Sequence, residues 1–357
     1  MNTLLIRADA TGKIGAGHVM RCLALAEAWQ ANGGRVTLLS HCENPRLEKR
    51  IESCGFAFRR VTAPHPAASD VRETIELIET LRPAWVALDG YQFDTDYQRA
   101  IRGADVSLLV VDDFAHLSHY HADIVLNQNI DAADLPYKCD PDTELLLGPR
   151  YSLLRREFLS RGDRDRSIPQ VATKILVTLG GADAGNATLQ VVEALKQVRV
   201  QGFTARIVAG PFNPHFDLLC EAVRTRGRDF EVLSDVADMA DQMAWADLTI
   251  SAAGSTCWEL AFMGSPSILM VTANNQCGIA AGLDKAGAAI SLGWFDMLPS
   301  KELSDKLAEL MLNQALRQEM SRLSKELVDG RGAQRIVNAL QVAKTERNKS
   351  AEYVQVG

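Results

Sequence analysis

His18 follows Gly12, Gly15 and Gly17 in the stretch 7–29, RADATGKIGAGHVMRCLALAEAW. Glycines at such positions allow close backbone approach and positive φ. Free N–H groups at a helix start, together with the helix dipole, suit an anion. A histidine at that mouth has the chemistry for proton transfer beside a bound phosphate. The same residues also describe a tight strand-to-helix turn with a surface histidine, because a Gly-rich turn alone is a weak signal.

A second group lies in 250–264, ISAAGSTCWELAFMG. Ser255 and Thr256 are placed to cap a helix and also to offer hydroxyls to a phosphate. Glu259 has two readings: it accepts the hydroxyls of a ribose, or it complements the helix dipole at a capped start. Gly180 and Gly181 follow the apolar run KILVTL. They form a phosphate-loop candidate or a plain strand-to-helix turn. Asp89 and Tyr91 follow WVAL, and Asp112 and Asp113 follow VSLLVV. Tyr91 offers an aromatic face to a sugar. The aspartates either position water or a metal, or cap and cross-link the loop. His116, His119 and His121 share one loop without a second cluster of ligands, so they read as loop residues and no metal site is expected.

Several chemistries are disfavoured. There is no nucleophile elbow and no Walker sequence. The first loop, G-A-G-H-V-M, lacks the third glycine of a dinucleotide fingerprint, and the second apolar run ends in Ser40 instead of an acidic residue. A nicotinamide-dependent dehydrogenase is therefore not expected.

The elements that would position these residues alternate. Short apolar runs at 4–6, 35–40, 85–88, 106–111 and 124–126 are separated by helical segments at 20–31, 45–54, 70–81 and 94–101. That pattern implies a parallel sheet covered on both faces, with ligands beyond the carboxyl ends of its strands. A polar stretch at 160–173, SRGDRDRSIPQVAT, is the linker candidate. The pattern then restarts at Lys174 and runs to a last helix near 335–343. Two doubly wound α/β domains are expected, at 1–162 and 172–345, with a polar, frayed tail at 346–357 and ligand in the cleft between the domains.

With 357 residues, 47% hydrophobic and 23% charged, the composition is that of a globular protein. A net charge of −7 gives no case for generic nucleic-acid binding. The seven scattered cysteines form no CxxC pair, which fits a reducing compartment and opposes a disulfide framework or zinc knuckle. No leader-like segment opens the chain, and no apolar run reaches the ~18 residues of a membrane span. A cytoplasmic monomer without nucleic-acid or membrane partners is expected.

The combination IRADATGKIGAGHVMRCLALA, ALDGY, VVDD, LLLGPRYSLLRREF, VTLGGAD, SAAGSTCWELAFMGSP, ANNQ and DGRGAQRIV resembles the PseG family, the UDP-sugar hydrolases of pseudaminic acid biosynthesis. The resemblance covers about residues 4–340. Some of the motifs are shared with proteins linked to spore-coat polysaccharide, and the second half also looks like the nucleotide-binding half of MurG-type glycosyltransferases. The resemblance implies a two-domain GT-B fold. It implies the substrate UDP-2,4-diacetamido-2,4,6-trideoxy-β-L-altropyranose, cleaved at the sugar C1–O bond with inversion and without metal or cofactor. The free sugar would then be condensed with phosphoenolpyruvate by a synthase. His18 matches the family's catalytic histidine. On this reading Asp9, Gly15, Gly17, Tyr91 and Asp113 line the sugar pocket, and Asn275 and Gln276 contact sugar or diphosphate. Gly180, Gly181, Phe212, Ser255, Thr256 and Glu259 hold UDP.

Overall fold

Two parallel sheets organise the chain, each built from strands so apolar that both faces must be covered. The computed structural model describes residues 2–161, 166–210, 212–234 and 236–356, with side chains through Thr345. Residues 162–165 of the expected linker, and Pro211, fall outside the described residues.

The chain forms two compact units, residues 1–155 with 331–357, and residues 156–330. The first contains β1 (Thr3–Ala8), α1 (Gly17–Ala31), β2 (Arg35–Ser40), α2 (Pro45–Ser53), β3 (Ala57–Arg60), α3 (Ala68–Leu81), β4 (Trp85–Asp89), α4 (Thr95–Gly103), β5 (Ser107–Val111), β6 (Ile124–Asn127) and β7 (Glu144–Leu147). The second contains α5 (Arg156–Leu159), β8 (Lys174–Thr178), α6 (Ala187–Gln197), β9 (Thr204–Ala209), α7 (Phe216–Val223), β10 (Phe230–Ser234), α8 (Met239–Trp245), β11 (Leu248–Ala252), α9 (Thr256–Phe262), β12 (Ser267–Val271), α10 (Cys277–Lys285), β13 (Ile290–Trp294), α11 (Ser300–Leu312) and α12 (Gln314–Leu327). The last helix, α13 (Gly332–Val356), returns to the first unit.

Strand order in the first sheet is β3-β2-β1-β4-β5-β6-β7. The order reverses between β1 and β4, whose register ends with Ala8 opposite Asp89. The second sheet runs β10-β9-β8-β11-β12-β13, and there the reversal falls between β8 and β11, with Thr178 opposite Ser251. At such a switch point the connections leave in opposite directions and open a crevice beyond the strand ends. Both groups of candidate residues leave their sheets at these two points. No helix among the described residues is long and apolar enough to cross a membrane.

The end of the chain departs from the expected domain boundary. Residues 331–345, assigned above to the second domain, group with the first. Ile336, Val337 and Leu340 are buried, and the Trp85 indole donates to the Leu340 carbonyl at 3.0 Å. An amphipathic helix goes wherever its stripe is best covered, and sequence order alone does not say where that is. The expected tail at 346–357 continues the backbone of α13 as far as Val356.

Within the second unit two arginines, Arg317 buried and Arg166 half-buried, pin the expected linker and the helix ends by bonding to carbonyls. Arg317 donates to Leu310, to Met311 at 2.6 Å, and to Pro169 and Gln170 at 2.5 and 3.2 Å. Arg166 bonds the carbonyls of Met243 at 3.0 Å and of Ala246. Residues 166–173 therefore lie on the second unit.

One glycine is required by close approach. A Cβ on Gly210, just past β9, would stand 2.4 Å from the Gly180 carbonyl oxygen and 2.5 Å from that of Gly181. The Phe212 N–H donates to the Gly181 carbonyl at 2.9 Å, locking the two loops together. The Gly210→Ala variant is expected to lose about 1–3 kcal/mol of stability, because backbone and not a flexible side chain must yield. Urea unfolding of the purified variant checks this, and an unchanged midpoint refutes it.

Candidate functional site

In the first unit the site begins with a charged side chain on an apolar helix. Arg21 lies on the buried face of α1, among Val19, Cys22, Leu23 and Leu25. A cation there persists only if paired and hydrogen-bonded. Its Nε donates to Asp89 Oδ2 and its Nη2 to Asp89 Oδ1, both at 2.7 Å. Its Nη1 donates to Asp113 Oδ1 at 2.7 Å. One guanidinium thus joins the end of β4 to the loop after β5.

Asp89 also accepts from His18 Nδ1 at 2.6 Å and from the Cys22 thiol at 3.3 Å. Burial opposes its charge, but Arg21 and then His18 outweigh that and hold its carboxyl well below the usual carboxylate range. Burial, and then Asp89, push the Cys22 thiol up, so the thiol is a neutral donor. An ionised acceptor at Nδ1 fixes the proton there and leaves Nε2 as the lone-pair nitrogen. Nε2 has no hydrogen-bond partner among the described residues, and the side chain is 11% exposed. His18 stands edge-on to Tyr91 with ring centroids 4.9 Å apart. The Tyr91 hydroxyl donates to Asp113 Oδ2 at 2.6 Å, and Asn129 holds Asp113 at 3.1 Å. The result is a buried charge network with one basic nitrogen at its edge, suited to accept a proton from water or a hydroxyl.

The loop after β5 has its own hub. Asp112 Oδ2 accepts the N–H groups of Phe114 and Ala115 at 3.0 and 2.7 Å, and Oδ1 accepts from His116 Nδ1 at 2.9 Å. Tyr120 and Tyr137 add their hydroxyls at 2.9 and 2.7 Å. Burial works against this carboxylate too, and His116, Tyr137 and the Ala115 N–H more than compensate, keeping it below the ordinary range.

Two expected sugar contacts have other jobs. Asp9 is 2% exposed. It is occupied by Arg7, the His41 N–H at 2.7 Å and Gln92 Nε2 at 3.0 Å. Arg7 in turn bonds Asp70, at 3.1 Å through Nε and 2.6 Å through Nη2, so Asp9 belongs to a buried ion network under the loop. Asp113 is likewise held inside by Arg21, Tyr91 and Asn129. Both act by positioning: Asp9 sets Gln92, and Asp113 sets Tyr91. In the first loop Gly15 takes φ +73° and its N–H bonds the Thr11 carbonyl at 2.8 Å, while the Gly12 N–H is taken by Glu43 at 2.8 Å. Gly17 opens α1 and is exposed.

In the second unit the expected nucleotide residues gather at the β8/β11 switch point. Gly180 has φ +97° and lies against Gly210, with Phe212 bonded to Gly181. Ser255 precedes α9 without a side-chain capping bond, so its hydroxyl is not used for the cap expected of it. Gln276 Oε1 accepts from the Thr272 N–H at 2.8 Å, and its Nε2 lies near Gly254, 3.9 Å from where a Cβ would be. Ser255, Thr256, Glu259 and Asn275 are partly exposed. Hydroxyl, amide and carboxylate groups of this kind near glycine backbone have the chemistry to meet an oxyanion and a diol.

Sequence reasoning missed Arg21 and underrated Asp89. The signal was present: a lone arginine within an apolar helix, three residues after the histidine, needs buried carboxylates.

Residues 174–336 match the glycosyltransferase family 28 C-terminal domain. Among curated proteins, an uncharacterized protein of Methanocaldococcus jannaschii is 27% identical over 276 residues, 75% of this chain and 55% of its own length. A spore coat polysaccharide biosynthesis protein of Bacillus subtilis is 27% identical over 201 residues, covering 56% of this chain and 59% of that protein. The chain thus spans little more than half the length of these two relatives. The UDP-2,4-diacetamido-2,4,6-trideoxy-beta-L-altropyranose hydrolase of Campylobacter jejuni is 24% identical over 291 residues, covering 80% of this chain and 97% of that protein. The crystal structure of MurG from Acinetobacter baumannii superposes with a TM-score of 0.64 at 19% identity, covering 96% of this chain and 99% of that one. The fold is therefore GT-B, two Rossmann-like parallel-sheet domains.

Asp70, Asp89 and Asp112 are all held low, against an unfolded carboxylate near ~3.9. The native state resists protons that the unfolded state accepts. Their stabilisation is thus complete above about pH 4 and is lost as pH falls through the lower native values. Urea midpoints measured downward from neutral pH should fall below that point, and fall less in Asp112→Asn, whose side chain no longer titrates. A flat acid profile refutes the assignment.

Proposed function

We propose that this chain hydrolyses a UDP-linked 2,4-diacetamido-2,4,6-trideoxy sugar, of the β-L-altropyranose form, at the C1–O bond, with His18 activating the water. The observation that carries the reading is the His18–Asp89 pair: an imidazole with its proton held at Nδ1 by a buried carboxylate 2.6 Å away, and Nε2 unengaged among the described residues. The Campylobacter hydrolase, matched along almost its whole length, supports the substrate class. The family 28 match over residues 174–336 supports a nucleotide-sugar site in the second unit.

In the proposed reaction His18 Nε2 takes a proton from water as its oxygen attacks C1 on the face opposite the leaving group. The C1–O bond breaks with its electrons passing to the β-phosphate of UDP, so the product sugar is inverted. Asp89 holds the ring orientation and faces the charge that forms on it. Tyr91 packs at the ring edge. Charge growing on the diphosphate is assigned to the α9 N-terminus near Ser255 and to the Gly180–Gly181 backbone, as electrostatic stabilisation needing no metal or cofactor. Glu259 accepts the ribose hydroxyls, Phe212 flanks the base, and Asn275 and Gln276 bond sugar or diphosphate. The protein would act on this small molecule as a cytoplasmic monomer.

Transfer of the sugar to an acceptor other than water is the second reading, favoured by the same family 28 match. Incubating protein with the UDP-sugar alone separates the two: free sugar and UDP appear without acceptor only for the hydrolase. In heavy-oxygen water the label must enter the sugar, whereas label in phosphate sinks C1–O cleavage. His18→Ala is expected to lower kcat by about 10²–10⁴-fold with the far-UV spectrum unchanged. Asp89→Asn should cost a similar ~10²–10⁴-fold through the wrong tautomer. Wild-type turnover in a folded His18→Ala protein would remove the base.

A further inference from the structure

His119 and His121 have no part in the reaction proposed above, yet the fold gives them a common partner. Tyr120 pairs with Cys139 in a parallel bridge, and the Tyr120 N–H donates to the Lys138 carbonyl at 2.8 Å. In extended chain, residues on either side of a given position share one face. Tyr120 is buried and bonds Asp112, so His119 and His121 fall together on the outer face. Cys139 packs against the apolar cluster, and Asp140 comes up beside the two rings. His119 Nε2 is 2.9 Å from Asp140 Oδ1, and His121 Nδ1 is 3.0 Å from the same oxygen. The imidazole centroids lie 4.5 Å apart. All three donor atoms lie within 4.8 Å of one another, and the side chains are 35, 20 and 33% exposed.

We infer that His119, His121 and Asp140 form a binding site for a divalent transition-metal ion of the zinc class. Two imidazoles and one carboxylate are the donors such ions prefer, whereas magnesium and calcium take oxygen ligands. Metal–ligand bonds of about 2.0–2.2 Å in tetrahedral geometry separate donor atoms by roughly 3.3–3.5 Å. The present donors need only small side-chain adjustments to reach that. The backbone is already fixed: Thr95 Oγ1 donates to the His119 carbonyl at 2.9 Å, and the His121 N–H donates to Gln98 at 2.9 Å. The fourth position is left to water.

Arg99 sets the terms of entry. Its Nε donates to His121 Nε2 at 3.1 Å, which keeps the imidazole proton on Nδ1 and aimed at Asp140. A metal on Nδ1 requires that proton to sit on Nε2 instead, where it meets the Arg99 N–H. Proton exchange with water moves that proton from Nδ1 to Nε2, and likewise frees the His119 nitrogen that faces Asp140, while Arg99 leaves its hydrogen bond. The guanidinium side chain is 59% exposed and also pairs with Asp96 at 2.7 Å, so it is free to move outward. Arg99 is thus a competitor of the metal.

The test is a cobalt titration of the full chain at neutral pH, followed by visible absorption and by zinc displacement. One equivalent should bind with a four-coordinate spectrum lacking sulfur charge-transfer bands, with a dissociation constant of ~10 µM or tighter. His119→Ala and Asp140→Ala should each weaken binding by about 10-fold or more, and Arg99→Ala should strengthen it. Zinc should also raise the melting temperature of the parent and not of His119→Ala. Failure to bind one equivalent overturns the site. So does binding that survives both ligand variants or shows thiolate bands, since Cys277 is exposed. Melting curves without metal show that each variant is folded, and no outcome depends on the hydrolase reading.

Discussion

Arg21 is the interaction on which the first unit's chemistry depends. A guanidinium buried on α1 would be strongly unfavourable alone, and so would Asp89 and Asp113 without it. Together they bring three elements to one point: α1, the end of β4, and the loop after β5. Charge then passes outward in a definite order. Arg21 keeps Asp89 ionised, Asp89 keeps the His18 proton on Nδ1, and Nε2 is left basic. Asp113, bonded to the same cation, holds the Tyr91 hydroxyl and hence the ring against which His18 rests. Removing the cation would leave two carboxylates buried near each other, so the histidine's orientation and the local fold share one cause.

Much of the architecture was legible because parallel strands buried on both faces read as unbroken apolar runs. VSLLVV and KILVTL are examples, and each became a central or near-central strand. The switch points followed from strand order, which no periodicity reveals, yet the Gly-rich and Ser-rich loops already marked the strand ends that would lie there. The place of α13 was not legible. Its apolar stripe suits any open helix face, and only the packed structure shows Ile336, Val337 and Leu340 buried in the first unit. The partnership of His119, His121 and Asp140 escaped for a related reason. Asp140 is 19 residues from His121, and the bridge between Tyr120 and Cys139 is a tertiary fact.

Site residues were legible by type more than by role. Aspartate at the end of a strand marked a buried, multiply hydrogen-bonded side chain at Asp9, Asp89, Asp112 and Asp113. Which of them would meet a ligand was not legible, because that depends on how many donors the fold directs at each. Asp9 and Asp112 are saturated by internal groups, so they shape loops. In the second unit the reverse holds at Ser255. Its sequence context is that of a capping residue, but its hydroxyl makes no cap bond. A polar group that leaves its usual local partner unused, beside glycine backbone, is a better ligand candidate than one that satisfies the local rule.

The first unit contains two Asp–His pairs around Tyr91, His18–Asp89 and His116–Asp112, and geometry distinguishes them. Both histidines have a carboxylate at Nδ1, at 2.6 and 2.9 Å, and both rings contact Tyr91. Tautomer control is therefore common to them and cannot by itself select the base. The difference is at Nε2. In His116 that nitrogen is buried without a partner among the described residues, with the ring packed 4.9 Å from Phe114. Asp112 also serves four other donors, so its pull on His116 is part of a loop-building hub. Among the described residues Asp89 is shared only with Arg21 and Cys22, both fixed within the core, and His18 sits at the start of α1 with its ring partly exposed. The same pairing of residues thus gives a structural clamp where the second nitrogen is enclosed, and a nitrogen available for proton transfer where it is open.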